Sequence, residues 1–207
     1  MWELDFISEE DFTEHVRMTI EKYGEKLTSY DLKRFNKNIV DPVKMLFDKI
    51  VYRTSWEEII RSEIFSIMPP PPRSFGYFHQ GIFQYISHCR VPANGTEGGW
   101  DVIVERADGI MIPNGGTVHT VYVEMKNKHN TMNSAAAGKT FIKMQNQLLR
   151  NDDCACFLVE AIAGRSQNIK WETSVDGEKV GHRLIRRVSM DRFYALVTGE
   201  EDAFYRM

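Results

Sequence analysis

Four consecutive prolines, Pro69 to Pro72, place the strongest constraint on how this chain of 207 residues can fold. Each lacks a backbone donor and fixes its own φ, so neither a helix nor a central strand can run through them. The run predicts an extended surface connection that separates two stretches of different character. The stretch on its amino-terminal side reads as helical, and the stretch on its carboxy-terminal side reads as strands mixed with helices.

Before the prolines, Ser8 followed by Glu9, Glu10 and Asp11 has the form of a helix start, and Phe12, Val16 and Ile20 recur at helical spacing. This helix should reach about Tyr23. Asp41-Pro42 is a cap with proline at the first helical position, followed by the stripe Val43, Leu46, Phe47 and Ile50. Ser55-Trp56-Glu57-Glu58 is a capping box that opens a third helix through Ile59, Ile60 and Ile64. Residues 1–68 are thus expected to form a helical N-terminal part.

After the prolines, Phe75 to His88 is rich enough in aromatic and aliphatic residues to pack as a helix, with His79 and His88 in structural roles. From Gly98 the pattern becomes strand-like: Trp100 to Glu105, a turn at Asp108-Gly109, another at Asn114-Gly115-Gly116, then Thr117 to Lys126. Ala135 to Arg150 returns to helical spacing, and Cys154 to Ala161 reads as a buried strand. Ile169 to Trp171 and Leu184 to Val188 are expected strands on either side of an Asp176-Gly177 turn, and Ser189 to Val197 is a helix closed by Gly199. The expectation is an α/β fold, a mixed central sheet flanked by helices, with the core in residues 74–198 and the whole of 1–207 in one domain.

Apolar content of 43% with 27% charged residues suits a folded globular chain. An acidic amino end and the absence of an apolar run near the roughly 18 residues of a membrane span make a cytoplasmic location the default. Three cysteines, two of them at Cys154 and Cys156 in an apolar run, fit reduced core residues better than a disulfide framework or a zinc site. A net charge of −3 argues against a protein that coats nucleic acid indiscriminately. The charge is uneven, however: from Lys126 to Arg150 there are five basic residues and no acid. Such asymmetry can make a binding face on an acidic protein.

Strand residues alternate between faces, so in Val121-Tyr122-Val123-Glu124-Met125-Lys126 the side chains of Glu124 and Lys126 share one side. Asp101 opens the preceding strand, and if the two strands pair, both carboxylates can converge on one cation. Hard oxygen ligands with room for water and phosphate suit Mg²⁺ rather than Zn²⁺. An acid, then Glu-x-Lys on the next strand, meets the demands of phosphodiester hydrolysis: a metal to activate water and neutralise charge, and a cation beside the attacking water. Glu-x-Lys alone is weak evidence, since surface strands often carry it. The glycine turn before Asp101 and the basic stretch after Lys126 strengthen it.

In the helix from Ala135, Ala137, Phe141, Met144 and Leu148 form an apolar face, with Lys139, Lys143, Asn146 and Arg150 opposite. That second face either follows a phosphate backbone or is an ordinary solvated surface. Gln145 projects from the apolar face, and either bonds a strand end or reaches the water and substrate at the metal site. Just past the strand, Lys128, His129, Asn130 and Asn133 are further expected DNA contacts. Arg165, Arg183, Arg186 and Arg187 suit guanine recognition, phosphate contacts or surface ion pairs equally. Glu63 is either a supplementary metal ligand or a solvated helix carboxylate.

The order Gly-Trp-Asp101, Val-Glu124-Met-Lys126, then a helix bearing Gln145, resembles the PD-(D/E)XK nuclease superfamily. The stretch Val-Glu-Met-Lys-Asn-Lys-His-Asn-Thr-Met-Asn and the later Met-Asp-Arg-Phe-Tyr-Ala-Leu-Val-Thr-Gly resemble type II restriction endonucleases that cut GGNCC or GGWCC sites. The resemblance implies that Asp101 and Glu124 bind Mg²⁺ with the Met125 carbonyl as a further ligand, and that Lys126 positions or activates water. Trp100 stands where the motif has proline. A homodimer acting on a palindromic site in double-stranded DNA is then expected, because a two-fold target is most simply matched by a two-fold enzyme. A repair or recombination nuclease of the same superfamily, and a non-catalytic nucleic-acid-binding protein, are the alternatives.

Overall fold

The computed structural model describes residues 2–28, 41–67, 74–128 and 132–207. The expected connection at Pro69 to Pro72 lies outside the described residues. By packing, Met18–Ser74 is one compact unit, and Met1–Arg17 with Phe75–Met207 is another.

In the smaller unit, α2 (Pro42–Tyr52) starts where the Asp41 carboxylate accepts hydrogen bonds from the backbone of Val43 at 2.9 Å and Lys44 at 3.3 Å. These satisfy donors that the first helical turn leaves orphaned. α3 (Trp56–Ile67) opens with the reciprocal bonds of Ser55 and Glu58, as its capping box predicts. The two helices are tied by Lys44 and Glu63 at 2.8 Å, which gives Glu63 a structural ion pair.

The larger unit is built on one six-stranded sheet. In chain order it contains α4 (Ser74–Ile82), a 3₁₀ turn (Phe83–Tyr85), β1 (Cys89–Arg90), β2 (Val102–Ile112) and β3 (Gly116–Lys128). Next come α5 (Ser134–Arg150), β4 (Cys154–Ile162), β5 (Asn168–Val175), β6 (Glu178–Ser189), α6 (Met190–Thr198) and α7 (Ala203–Arg206). The strands lie in the order β1-β2-β3-β4-β6-β5. β3, β4 and β6 run parallel and the remaining pairs are antiparallel, which makes the sheet mixed. Before it, α1 (Glu9–Thr28) begins in this unit, where His15 donates from Nε2 to the Phe78 carbonyl at 2.9 Å.

Alternation along the strands produces two apolar layers. One face carries Val121, Val123, Ala155, Phe157, Val159 and Val188, packed under Phe83, Phe193 and Tyr194. The other carries Ile103, Cys156, Leu158 and Ile185 beneath Phe141 and Met144 of α5, with Trp100 and Trp171 at its sides. Cys154 and Cys156 are buried and reduced, as expected for core thiols.

The sheet departs from expectation at Asp108-Gly109, where β2 continues rather than turning back. Five residue steps on β2, Glu105 to Ile110, face only two on β3, Thr120 to Val118, so the extra residues form a bulge. Gly109 has φ +82°, and a Cβ there would lie 2.4 Å from the Thr117 methyl, so the bulge needs glycine. The chain does reverse between Ile112 and Gly116, as expected. It reverses again at Asp176-Gly177, where φ values of 51° and 85° are those of the tight hairpin turn that matches strand twist.

Candidate active site

Asp101 sits at the point where β2 begins. Its backbone N–H donates to the Val123 carbonyl at 2.9 Å, continuing the β2–β3 ladder one residue outward. Its carboxylate accepts the Met125 N–H at 2.7 Å, which fixes the side chain beside Glu124. Gly98 and Gly99, with φ of 77° and 68°, supply the left-handed backbone that delivers the chain to this position. Gln80 of α4 adds a hydrogen bond to the Asp101 carbonyl at 3.3 Å.

Glu124 and Lys126 share the α5 face of β3, as period two requires, and Lys126 Nζ donates to Glu124 Oε1 at 2.8 Å. The second carboxylate oxygen, Oε2, accepts from Lys143 Nζ at 2.8 Å. Lys143 also donates to the Gly99 carbonyl at 2.8 Å, and its ammonium stands 4.0 Å from the centre of the Trp100 ring. Helical spacing predicts Lys143 on the solvated side of its helix. Instead it flanks the buried stripe of Phe141 and Met144, where its long stem carries the charge back to the sheet.

The two carboxylates are shifted in opposite directions. Burial raises the Asp101 pKa above the ordinary carboxylate value, the Met125 hydrogen bond opposes the rise, and the Glu124 charge adds to it. For Glu124 burial also pushes upward, but the hydrogen bonds from Lys126 and Lys143 outweigh it and leave the net pKa lowered. Two neighbouring carboxylates, one of them hard to ionise for want of solvent, make a place that favours a cation. Among the described residues no three His, Cys, Asp or Glu side chains cluster as a complete metal cage. A pair of carboxylates with open positions fits a hard cation that keeps water and takes substrate oxygens, and does not fit zinc.

Comparison with known proteins bears on what this centre serves. A family profile described as Eco47II restriction endonuclease matches residues 4–207. The chain belongs to that family. It is similar to the type II restriction enzyme Sau96I of Staphylococcus aureus, at 29% identity over 214 residues, covering 99% of this chain and 76% of the relative. A restriction endonuclease cuts DNA at specific sites.

The other residues expected in this endonuclease's site are scattered. Gln145 is exposed rather than projecting into the apolar layer, because α5 buries Phe141 and Met144 and turns residues 145 and 146 outward. It takes no part in the carboxylate cluster. Lys139 and Arg150 are exposed along α5, and Lys128 is exposed at the end of β3. Asn133 caps α5, its side chain accepting from Ala136 N at 2.9 Å. His129 and Asn130 lie outside the described residues.

The arginines divide by environment. Arg186 is buried and spends its guanidinium on Asn168 and on the Pro113 carbonyl, so it cannot read a base. Arg165 bonds Gln167, and Arg183 is exposed. Arg187 donates through two nitrogens, at 2.9 and 2.6 Å, to Oε1 of buried Glu160, which stands on β4 opposite Lys126 in parallel register. Neither the Glu160–Arg187 pair nor the Gln80 contact is among the sequence-based expectations. A lone carboxylate closing the apolar run Phe157-Leu158-Val159 was the available signal for the first.

Proposed function

We propose that this restriction endonuclease cuts both strands of a short palindromic, GC-rich site in double-stranded DNA, as a homodimer of single-domain subunits. Asp101 and Glu124, with the Met125 carbonyl, would hold Mg²⁺, and Lys126 would stand beside the attacking water. The observation that carries this reading is the meeting of Asp101 and Glu124 across two paired strands with Lys126 on the Glu124 carboxylate. A divalent cation bound there lowers the pKa of a coordinated water and offsets charge on the phosphate oxygens.

The protein's own groups do the rest. The Met125 N–H keeps the Asp101 carboxylate turned toward Glu124. Lys126, anchored by a strand rather than a loop, keeps its ammonium within the site, where it would offset negative charge on the attacking oxygen. Lys128, Lys139 and Arg150 supply phosphate contacts, which set position rather than sequence. A GGNCC-type target rests on the resemblance of the Val123 to Asn133 stretch to enzymes that cut such sites.

Digestion of a plasmid of known sequence, with and without Mg²⁺, tests the reading. Discrete fragments are expected only with the metal, and Lys126→Ala should abolish them. Intact plasmid across a range of salt, or cleavage that Lys126→Ala leaves unaltered, would refute the assignment. Progressive loss of linear DNA would point instead to an exonuclease.

A further inference from the structure

Glu124 is doubly occupied, with one lysine ammonium on each carboxylate oxygen at 2.8 Å. Together Asp101, Glu124, Lys126 and Lys143 carry two negative and two positive formal charges, so the cluster is balanced before any metal arrives. Its side chains are largely shielded: Glu124 is 16% exposed, Lys126 28% and Lys143 30%. Placing a dication in such a site without moving an ammonium would leave a net charge of +2 with little solvent to screen it, which is costly.

The two lysines are not equivalent. Lys126 is fixed to the same strand as Glu124. Lys143 arrives from α5 and has a second anchorage independent of Glu124, formed by the Gly99 carbonyl at 2.8 Å and the Trp100 face at 4.0 Å. An ammonium has three donors. If the contact with Glu124 is broken, Gly99 and Trp100 still hold Lys143 at the rim, with donors left for an anion.

We infer that Lys143 holds the cation's place on Glu124 in the DNA-free enzyme and transfers its ammonium to a DNA phosphate when the metal binds, so that metal and DNA are bound cooperatively. The inference rests on the proposed metal site at Asp101 and Glu124. It makes each ligand remove what obstructs the other: metal frees Lys143 for the phosphate, and phosphate draws Lys143 off the carboxylate. By linkage the coupling is reciprocal.

Calcium, which uses the same oxygen ligands, is the probe, titrated calorimetrically into DNA-free protein and into protein saturated with a duplex carrying the cleavage site. Lys143→Met keeps an apolar stem against Trp100 and removes the charge. It should bind Ca²⁺ about tenfold more tightly than the parent without DNA, and the tightening that DNA produces in the parent should shrink by a similar factor. Lys143→Gln carries the same expectation and serves if the methionine variant melts early. Equal or weaker DNA-free Ca²⁺ affinity in the folded variant overturns the inference. Ca²⁺ binding that Glu124→Gln leaves intact overturns the metal site itself, which separates the two failures.

Discussion

Removing the negative charge at residue 124 exposes how much one side chain organises. In Glu124→Gln the ammonium groups of Lys126 and Lys143 lose their shared counter-ion, and a cation in the proposed metal site would lose its anionic ligand there. Cleavage is expected to fall at least about 100-fold, the scale of removing one preorganised electrostatic partner from a reacting site. Single-turnover kinetics with the enzyme in excess reads this directly. His79 offers a test away from the site. Burial lowers its pKa, and its Nδ1 is enclosed without a hydrogen-bond partner among the described residues. Its unfolded form therefore takes up a proton first: native stability is fully present above pH 6.5 and declines as pH falls from there toward the depressed folded value. Melting temperatures at pH 7.5 and 5.5 should show a smaller acid-side loss in His79→Gln than in the parent, and equal losses would refute this. That Glu124 and Lys126 share a face was legible in the sequence because strand alternation assigns faces without ambiguity, and the place of Asp101 beside them followed once the two strands were paired. Lys143 was not, since a helical wheel gives its side of α5 but not that a long stem at the boundary bends back to the sheet.

Among the elements, the bulge in β2 is the most sharply constrained. Gly109→Ala would place a methyl 2.4 Å from that of Thr117 at a backbone angle of φ +82°. We expect a loss of more than about 1 kcal/mol, read as a lower urea midpoint, against the small gain alanine gives where its backbone fits. This bulge also marks a limit of sequence reading. Asp-Gly signals a residue able to adopt positive φ, which hairpin turns and bulges both need, and only the pairing of Glu105 with Thr120 and Ile110 with Val118 distinguishes them. Asp176-Gly177, with the same dipeptide, does turn the chain. The longer strands and α5 were foreseeable in kind because their apolar periods are long. The extents of β5 and β6 were not, because their outer halves are polar and paired chiefly by backbone.

At the scale of the whole molecule, net charge opposes DNA binding, so affinity has to come from a local set of cations. Between about 50 and 200 mM salt, DNA affinity should drop steeply, and alanine at Lys128, Lys139 or Arg150 should each lower the slope of log affinity against log salt by about one. A slope that none of the three alters would remove them from the DNA contacts. The placement of α5 has one more consequence. Cys156 sits beneath it and donates from Sγ to the Met144 carbonyl at 3.6 Å, and Cys154 lies close by, also fully buried. Neither thiol can meet a reagent while the helix is seated. In a Cys89→Ser background, which removes the partly exposed third thiol, the rate at which a thiol-specific dye labels the native enzyme would therefore act as a clock for how often α5 lifts from the sheet, and saturation with cognate DNA should slow it.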